Sequence, residues 1–489
     1  MRVTRLTARD FRNHSRAELD LGPRLTVLHG PNGAGKTNLL EALYFGCVGR
    51  SCRTSNEREV VRAGERLARV TVEGEDEDGR HLIEVGFSPG EPKHARVDGA
   101  RIERPADASV RPLVSVFLPD RLELVKGPPS PRRAHVDRLV GALWPARAQA
   151  RAAYSSTLGQ RNALIARIRA GRSAPSLLEP WDSELARHGV ELMAHRREAC
   201  ALLEEPFRAR AADLGLHGDV ELRYRPRSRS ETVEELIDEL RGRRDSDLER
   251  GFTTHGPHRD DLELRHDGRA LRAYGSQGQQ RVALLALLFA ERDVLTEHGR
   301  TLLMLLDDVM SELDRDRRDR LSELVLAGGQ TLMTATEAEH VPVAAGSDVT
   351  LARVEAGRVW AEDPATGGLS GSSRAARSVR RLAPRSLDGA LERVARDLAP
   401  ATTLARVQGG WRHAVGPVVA AEAEPVSERD GVVTVSCSSA SWAQELSLLE
   451  ADLRARLNTE VSAPGAASAI RELRFGAARP RARRGVRAR

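Results

Sequence analysis

The 489-residue sequence has no run of about 18 apolar residues, so it offers no membrane-spanning helix. Its start, Met1-Arg2-Val3-Thr4-Arg5-Leu6, enters strand-like alternation at once and lacks the apolar stretch of a signal peptide. A cytoplasmic location is expected. Cysteine is scarce: Cys47, Cys52, Cys200 and Cys437 form no CxxC pair and no zinc-type spacing. That argues against a disulfide framework or a cysteine metal site and favours buried free thiols. Lysine is scarcer still. Lys36, Lys93 and Lys126 are the only lysines in a Lys plus Arg total of 76. An arginine bias can reflect genome composition alone, so the informative fact is where a lysine was kept. No internal repeat is evident.

What is present is a soluble globular balance of 40% hydrophobic and 30% charged residues, at a length that implies two or three domains. A net charge of +6 and a pI near 9.5 permit nucleic-acid binding without proving it.

Residues 1–29 read as strand, turn, strand, and 36–46 as a helix. Residues 67–99 alternate apolar and polar, the signature of an antiparallel sheet. Residues 131–214 are charged and helix-patterned, broken near Gly171–Pro175. Two antiparallel helices of roughly 40 residues would form an arm about 60 Å long. Residues 252–265 return to strand. A helix at 278–295, a strand at 301–306, a helix at 315–326 and a strand at 330–335 follow, which favours a partly parallel α/β sheet. The domain reading is therefore a head (1–130 and 250–361), a helical arm (131–249), a small polar linker (362–386), a second compact unit (387–475) and a tail (476–489). The tail carries six arginines and no acid and is expected to be disordered.

Gly30-Pro31-Asn32-Gly33-Ala34-Gly35-Lys36-Thr37 matches the P-loop pattern in its required setting, after a strand and opening a helix. The glycines let backbone N–H groups curl around phosphate oxygens, and the helix N-terminus adds positive potential. Lys36 would reach the β- and γ-phosphates of ATP, and the Thr37 hydroxyl would ligate Mg²⁺. A mere glycine turn is the bland alternative, and eight matched positions weigh against it. Leu302-Leu303-Met304-Leu305-Leu306-Asp307-Asp308 is a buried strand ending in two carboxylates, a Walker B pattern. Asp307 would hold Mg²⁺ through water, and Asp308 would orient or deprotonate the attacking water.

Between them, Ser276-Gln277-Gly278-Gln279 opens a helix and resembles the signature of ABC-type ATPases, with Gln277 in place of one glycine. In that class the signature of one subunit caps the γ-phosphate held by the other. A plain serine helix cap is the alternative, and both can hold at once. Ser311-Glu312-Leu313-Asp314 resembles the D-loop, with Ser311 and Asp314 as its site residues; alternatively it is an N-cap box. Thr334-Ala335-Thr336 ends the next strand, where ABC transporters place a switch histidine, so the γ-phosphate sensor stays open.

Denser stretches resemble the RecF family over about residues 1–360. They are Asp10-Phe11-Arg12-Asn13, Gly49-Arg50-Ser51-Cys52-Arg53-Thr54, Val116-Phe117-Leu118-Pro119-Asp120 with Leu124-Val125-Lys126-Gly127-Pro128-Pro129-Ser130-Pro131-Arg132-Arg133, Gln160-Arg161-Asn162, and Thr254-His255-Gly256-Pro257-His258-Arg259-Asp260-Asp261. The P-loop-to-signature interval is too short for the long coiled coil of Rad50-like relatives. The resemblance implies an α/β, ABC-type P-loop ATPase head with an antiparallel β subdomain and a helical arm. It also implies ATP and Mg²⁺ as cofactors, a slow ATPase, and an ATP-closed, head-to-tail homodimer on duplex DNA next to a single-stranded gap. A RecR-type mediator would help to load recombinase in recombinational repair and the SOS response. Arg53, Arg132, Arg133, Arg161 and Arg259 are the candidate DNA contacts, although an ordinary paired or solvated arginine is at least as good a reading of each.

Residues 387–475 resemble the DciA family through Trp411-Arg412-His413-Ala414-Val415-Gly416, Asp430-Gly431-Val432-Val433-Thr434-Val435, Ser439-Ala440-Ser441-Trp442-Ala443-Gln444-Glu445-Leu446 and Ile470-Arg471-Glu472-Leu473-Arg474-Phe475. The residues read as helix, hairpin, long helix and final strand, a small α+β, KH-like domain. The resemblance implies association with replicative helicase and DNA. Trp411 and Trp442 read first as core anchors and only second as stacking surfaces. The competing function is an interaction scaffold with an inactive head, against which intact Lys36, Asp307 and Asp308 argue.

Overall fold

The structure is a computed structural model that describes residues 1–102, 111–118, 122–311, 313–341, 349–362, 369–370, 403–429, 431–461 and 470–477. Most of the expected linker, residues 478–489 of the expected tail, and Pro119, Asp120 and Glu312 lie outside the described residues, while Gly476 and Ala477, expected in the tail, end the strand Glu472–Ala477. Two compact units are present. One comprises Met1–Leu21, Gly33–Pro112 and Ala352–Arg489, the other Gly22–Asn32 and Leu113–Leu351.

In the first unit, an antiparallel sheet runs in the order His14–Asp20, Arg2–Phe11, Ala68–Asp76, Gly79–Phe87, His94–Val97, Ala100–Ile102. Period-2 alternation buries Val70, Val72, Ile83 and Val85 on one face. A bulge between Val3 and Arg5 shifts the phase of the first strand, so Val3 and then Leu6 and Ala8 all point inward. The helix Lys36–Val48 lies on that face. Gly46 permits the close approach, because a Cβ there would meet Val72 Cγ2 at 2.5 Å.

The second unit is built on parallel strands. Leu25–His29 pairs with Gln330–Ala335, which pairs with Leu302–Leu306, which pairs with Leu113–Phe117. All four run in one direction, so their C-terminal ends share one edge, the edge where open α/β sheets bind ligands. Helix Gln277–Glu297 is apolar on nearly every side from Val282 to Ala290 and is the centre of this core. A three-stranded sheet ordered Arg269–Ala270, Asp261–His266, Val220–Arg225 also belongs to this unit.

The arm differs in detail from the sequence expectation. Pro145 breaks its first half, giving helices Pro129–Leu143 and Ala148–Arg169, while the return helix Leu178–Asp213 is continuous through Pro206. Its 36 residues span about 54 Å at 1.5 Å per residue. The expected strand at 252–265 begins only at Asp261, because Gly256 and Pro257 open a turn of 3₁₀ helix first.

Residues 403–477 form a small α+β fold with its own core of Val407, Trp411, Val433, Val435, Leu446, Leu457 and Leu473. Helix Thr403–Glu422 breaks at Gly416, and the expected long helix is two, Ala440–Leu448 and Glu450–Val461. Strand Val432–Cys437 pairs antiparallel with Ala423–Arg429 and parallel with Glu472–Ala477. The Trp411 indole N–H donates to Ala423 O at 2.7 Å from a buried position, the core role favoured for it.

Candidate nucleotide-binding site

The P-loop leaves the strand Leu25–His29 at Gly30, whose N–H donates to Thr336 O at 3.2 Å. Gly30, Gly33 and Gly35 all have positive φ, at 143°, 80° and 114°. Gly35 is irreplaceable on a second ground, since a Cβ would fall 2.6 Å from the Asn13 amide and 2.7 Å from His14 Nε2. Those two residues hold the loop from beneath. The Asn13 amide donates to Ala34 O at 3.1 Å. The fully buried His14 places Nε2 3.0 Å from Gly35 O and Nδ1 2.8 Å from Gly357 O. Gly357 N–H in turn donates to Ala34 O at 3.0 Å. Pro31, Asn32 and Gly33 are exposed at the loop crest, and Lys36 is buried at the first helical position.

Glu41, on the same helix and fully buried, accepts both Arg12 nitrogens at 2.9 and 2.7 Å, the Ser51 hydroxyl at 2.6 Å and Arg53 at 3.4 Å. This ties together two of the stretches quoted for the family resemblance. Neither Glu41 nor His14 was singled out from sequence. The available signal was the histidine that follows Asn13 and the acid in an otherwise apolar helix.

In the other unit, Asp307 ends the strand Leu302–Leu306 and is 6% exposed. Its N–H donates to Phe117 O at 3.0 Å, and its Oδ1 accepts the Thr334 hydroxyl at 2.8 Å. Asp308 turns the chain with φ 45°, and its N–H donates to Thr334 Oγ1 at 2.9 Å. Ser311 Oγ donates to Asp308 O at 3.0 Å, and Asp314 caps helix Arg315–Ala327 through Arg317 N–H at 2.9 Å. Ser276 closes a capping box, the cap that is the alternative reading of its stretch: Ser276 Oγ accepts Gln279 N–H at 3.2 Å, and Gln279 Oε1 accepts Ser276 N–H at 2.9 Å. Ser276, Gln277 and Gly278 remain exposed. A groove lined by Gln277, Gly278, Arg281, Asp308, Leu313 and Arg317 brings the start of helix Gln277–Glu297 beside Asp308 and Leu313.

Comparison with known proteins shows the family. The model "RecF/RecN/SMC N terminal domain" matches residues 2–357. The "DNA replication and repair protein RecF" of Streptomyces avermitilis is 37% identical over 374 residues, 73% of this chain and all of the relative. The chain belongs to the RecF family. RecF proteins of Kineococcus radiotolerans and Heliobacterium modesticaldum are 37% and 38% identical, with 95% and 92% of their lengths covered. Among solved structures it is similar to "the recombination mediator protein RecF-ATP in RecFOR pathway", with TM-score 0.65, 28% identity, and coverage of 74% of this chain and 98% of the other. The matching "RecF-ATPrS" structure gives a TM-score of 0.64 at the same identity and coverage. Residues 386–475 match the model "Dna[CI] antecedent, DciA", so a DciA domain follows the RecF part.

The candidate DNA contacts divide sharply in this RecF-family fold. Arg161 is fully buried, with Nε 2.7 Å from Asp182 and Nη1 2.7 Å from both Asp247 and Thr253. Arg132 is 4% exposed, paired with Asp261 at 2.7 and 3.0 Å and donating to Gly127 O. Both are internal struts with no route to a phosphate, and the DNA reading of these two is withdrawn. The carboxylates they meet lie 21 to 129 residues away in sequence, so nothing local marked them as buried. Arg133 is half-buried on Asp260 O, and burial lowers its pKa from the ordinary guanidinium value. Arg53 and Arg259 are exposed. Arg259 lies over the ring of the exposed Phe252, 5.4 Å from its centroid.

Proposed function

We propose that this chain is an ATP-dependent DNA-binding factor of DNA replication and recombinational gap repair, with a DciA part that meets replicative helicase. The observation that carries the reading is the strand order: the strand feeding Gly30, the strand carrying Thr334 and the strand ending in Asp307–Asp308 lie side by side and parallel. The start of the P-loop, residues 30–32, and both carboxylates therefore follow strands that end at one sheet edge, which supports the reading. The RecF-ATP similarity supports nucleotide there.

In this reading, backbone N–H groups of residues 30–35 and Lys36 bind the phosphates, and Thr37 and Asp307 would hold Mg²⁺. Their hydroxyl and carboxylate oxygens are the hard donors that such an ion takes, and the Asp307 carboxylate is oriented by a buried hydroxyl. When bound, the ion neutralises charge developing on the phosphate oxygens. Asp308 orients a water whose oxygen attacks the γ-phosphorus. The bond to the β–γ bridging oxygen breaks, ADP and phosphate form, and the water's proton passes toward Asp308. The exposed Ser276-Gln277-Gly278 would complete the site in a head-to-tail partner copy. Because the cap uses only an acceptor site of Ser276 Oγ, its hydroxyl proton remains for a phosphate oxygen. Duplex DNA beside a single-stranded gap, a RecR-type mediator and an ATP-closed homodimer are the proposed partners and state. Arg53 and the Arg259–Phe252 pair are the proposed DNA contacts, the latter suited to a phosphate beside a stacked base. The head (1–130 and 250–361), arm (131–249) and DciA part (387–475) are its proposed functional divisions.

The test is affinity for gapped duplex DNA with and without Mg-ATP, at two salt concentrations, for the full chain and for Arg259→Ala. ATP-strengthened binding that weakens in Arg259→Ala supports the reading. Binding indifferent to ATP moves the activity to the DciA part and makes the head a scaffold.

A further inference from the structure

We propose that Thr334 is a positioning residue for nucleotide hydrolysis, its one hydroxyl holding both members of the Asp307–Asp308 pair; this rests on the nucleotide reading above. Thr334 is fully buried on the strand that lies between Leu25–His29 and Leu302–Leu306. On one side its register partner is Leu28, two residues before the P-loop begins. On the other, the register with the Asp307 strand ends at the pair Leu306–Met333, one position before Asp307 and Thr334. The Thr334 hydroxyl proton goes to Asp307 Oδ1 at 2.8 Å, and its oxygen accepts the Asp308 N–H at 2.9 Å. A hydroxyl has one proton, so the donation to Asp307 and the acceptance from Asp308 set its rotor.

Each bond has a distinct consequence. The donation to Oδ1 helps to set the rotation of the Asp307 carboxylate, and so its aim at the ion. The acceptance from Asp308 N–H steadies a residue at φ 45°, a left-handed conformation uncommon for a side chain other than glycine. The direction of the Asp308 carboxylate depends on that turn. Packing alone does not demand threonine here: Leu332, Met333, Leu305 and Leu306 surround the position along the strands, and valine has the same shape and a high strand propensity. The chemistry also separates Thr334 from the phosphate-sensing role, since its hydroxyl proton is committed to Asp307.

The test uses the full chain with Thr334→Val, Thr334→Ala and Thr334→Ser. Readouts are melting temperature without nucleotide, ATP affinity in EDTA, the Mg²⁺ concentration that gives half the gain in ATP affinity, and kcat with KM. In Thr334→Val, ATP affinity in EDTA stays at the wild-type value. The Mg²⁺ requirement rises and kcat falls, each by about 10–100-fold, as for the loss of an outer-shell partner of a metal ligand. Thr334→Ser restores both. If Thr334→Val does not fold, the contrast between Thr334→Ala and Thr334→Ser carries the test. A folded hydroxyl-free variant with wild-type Mg²⁺ dependence and kcat overturns the inference alone. A wild-type chain whose ATP affinity ignores Mg²⁺ overturns the nucleotide reading and this inference with it.

Discussion

Replacing Arg161 by methionine should unfold the arm's base before it touches DNA binding. The guanidinium lies at zero exposure between Asp182 and Asp247, both also at zero exposure. Asp182 keeps a second cation, Arg244, at 2.7 Å. Asp247 has no second arginine among the described ion pairs. Without Arg161 it keeps only the Thr254 N–H and hydroxyl at 2.8 and 2.7 Å. One buried carboxylate then stands without its counter-charge, which costs about 3–5 kcal/mol. At about 2–4 °C per kcal/mol for a unit of this size, the melting temperature falls by roughly 6–20 °C. The assay is calorimetric unfolding of the full chain, followed by DNA affinity at two salt concentrations. Adding Asp247→Asn to Arg161→Met removes the stranded charge and should recover part of the loss. The reasoning is refuted if Arg161→Met melts with the wild type while DNA affinity and its salt dependence both drop, for that is how a surface phosphate contact behaves.

Three further outcomes follow from the site and its surroundings. Lys36→Ala should lose ATP binding, whereas Asp308→Asn should keep it and accumulate an ATP-bound dimer, as read by light scattering with and without Mg-ATP. Burial alone would lower the His81 pKa, but its bonds to Asp98 and Asp76 at 2.8 and 2.9 Å outweigh burial and hold it raised. The stabilisation is thus complete below the unfolded imidazole value of about 6.5 and is lost as pH climbs through the raised folded value. Melting curves of wild type and His81→Gln should converge as pH rises from 6 to 9; a gap that widens contradicts the sign. Cys47 and Cys200 are buried, and burial pushes both thiols up to about 12, so maleimide should label neither until the protein unfolds, while the half-buried Cys52 reacts in the native state.

Short-range order was written in the sequence. The P-loop announces itself because consecutive positions must meet one phosphate chain, and Gly30, Gly33 and Gly35 adopt a positive φ that glycine takes without strain. The Asp307–Asp308 strand is legible for a like reason: five apolar residues ending in two acids are contiguous. The strand periodicity of residues 68–87 and the helix periodicity of 277–297 likewise reflect local geometry. Tertiary structure alone decided which arginines face solvent. Arg161 and Arg259 are equally charged and both lie in family-like stretches, yet one meets Asp182 and Asp247 and the other lies over an exposed ring. It likewise turned Thr334 from one more strand residue into the partner of the Asp307 carboxylate and the Asp308 backbone N–H, and brought the Gly357 N–H to Ala34 O across more than three hundred residues. The physical reason is common to all of these cases. A hydrogen bond or an ion pair acts over about 3 Å in space, and the partner that satisfies a buried polar group is chosen by the packing of distant strands and helices.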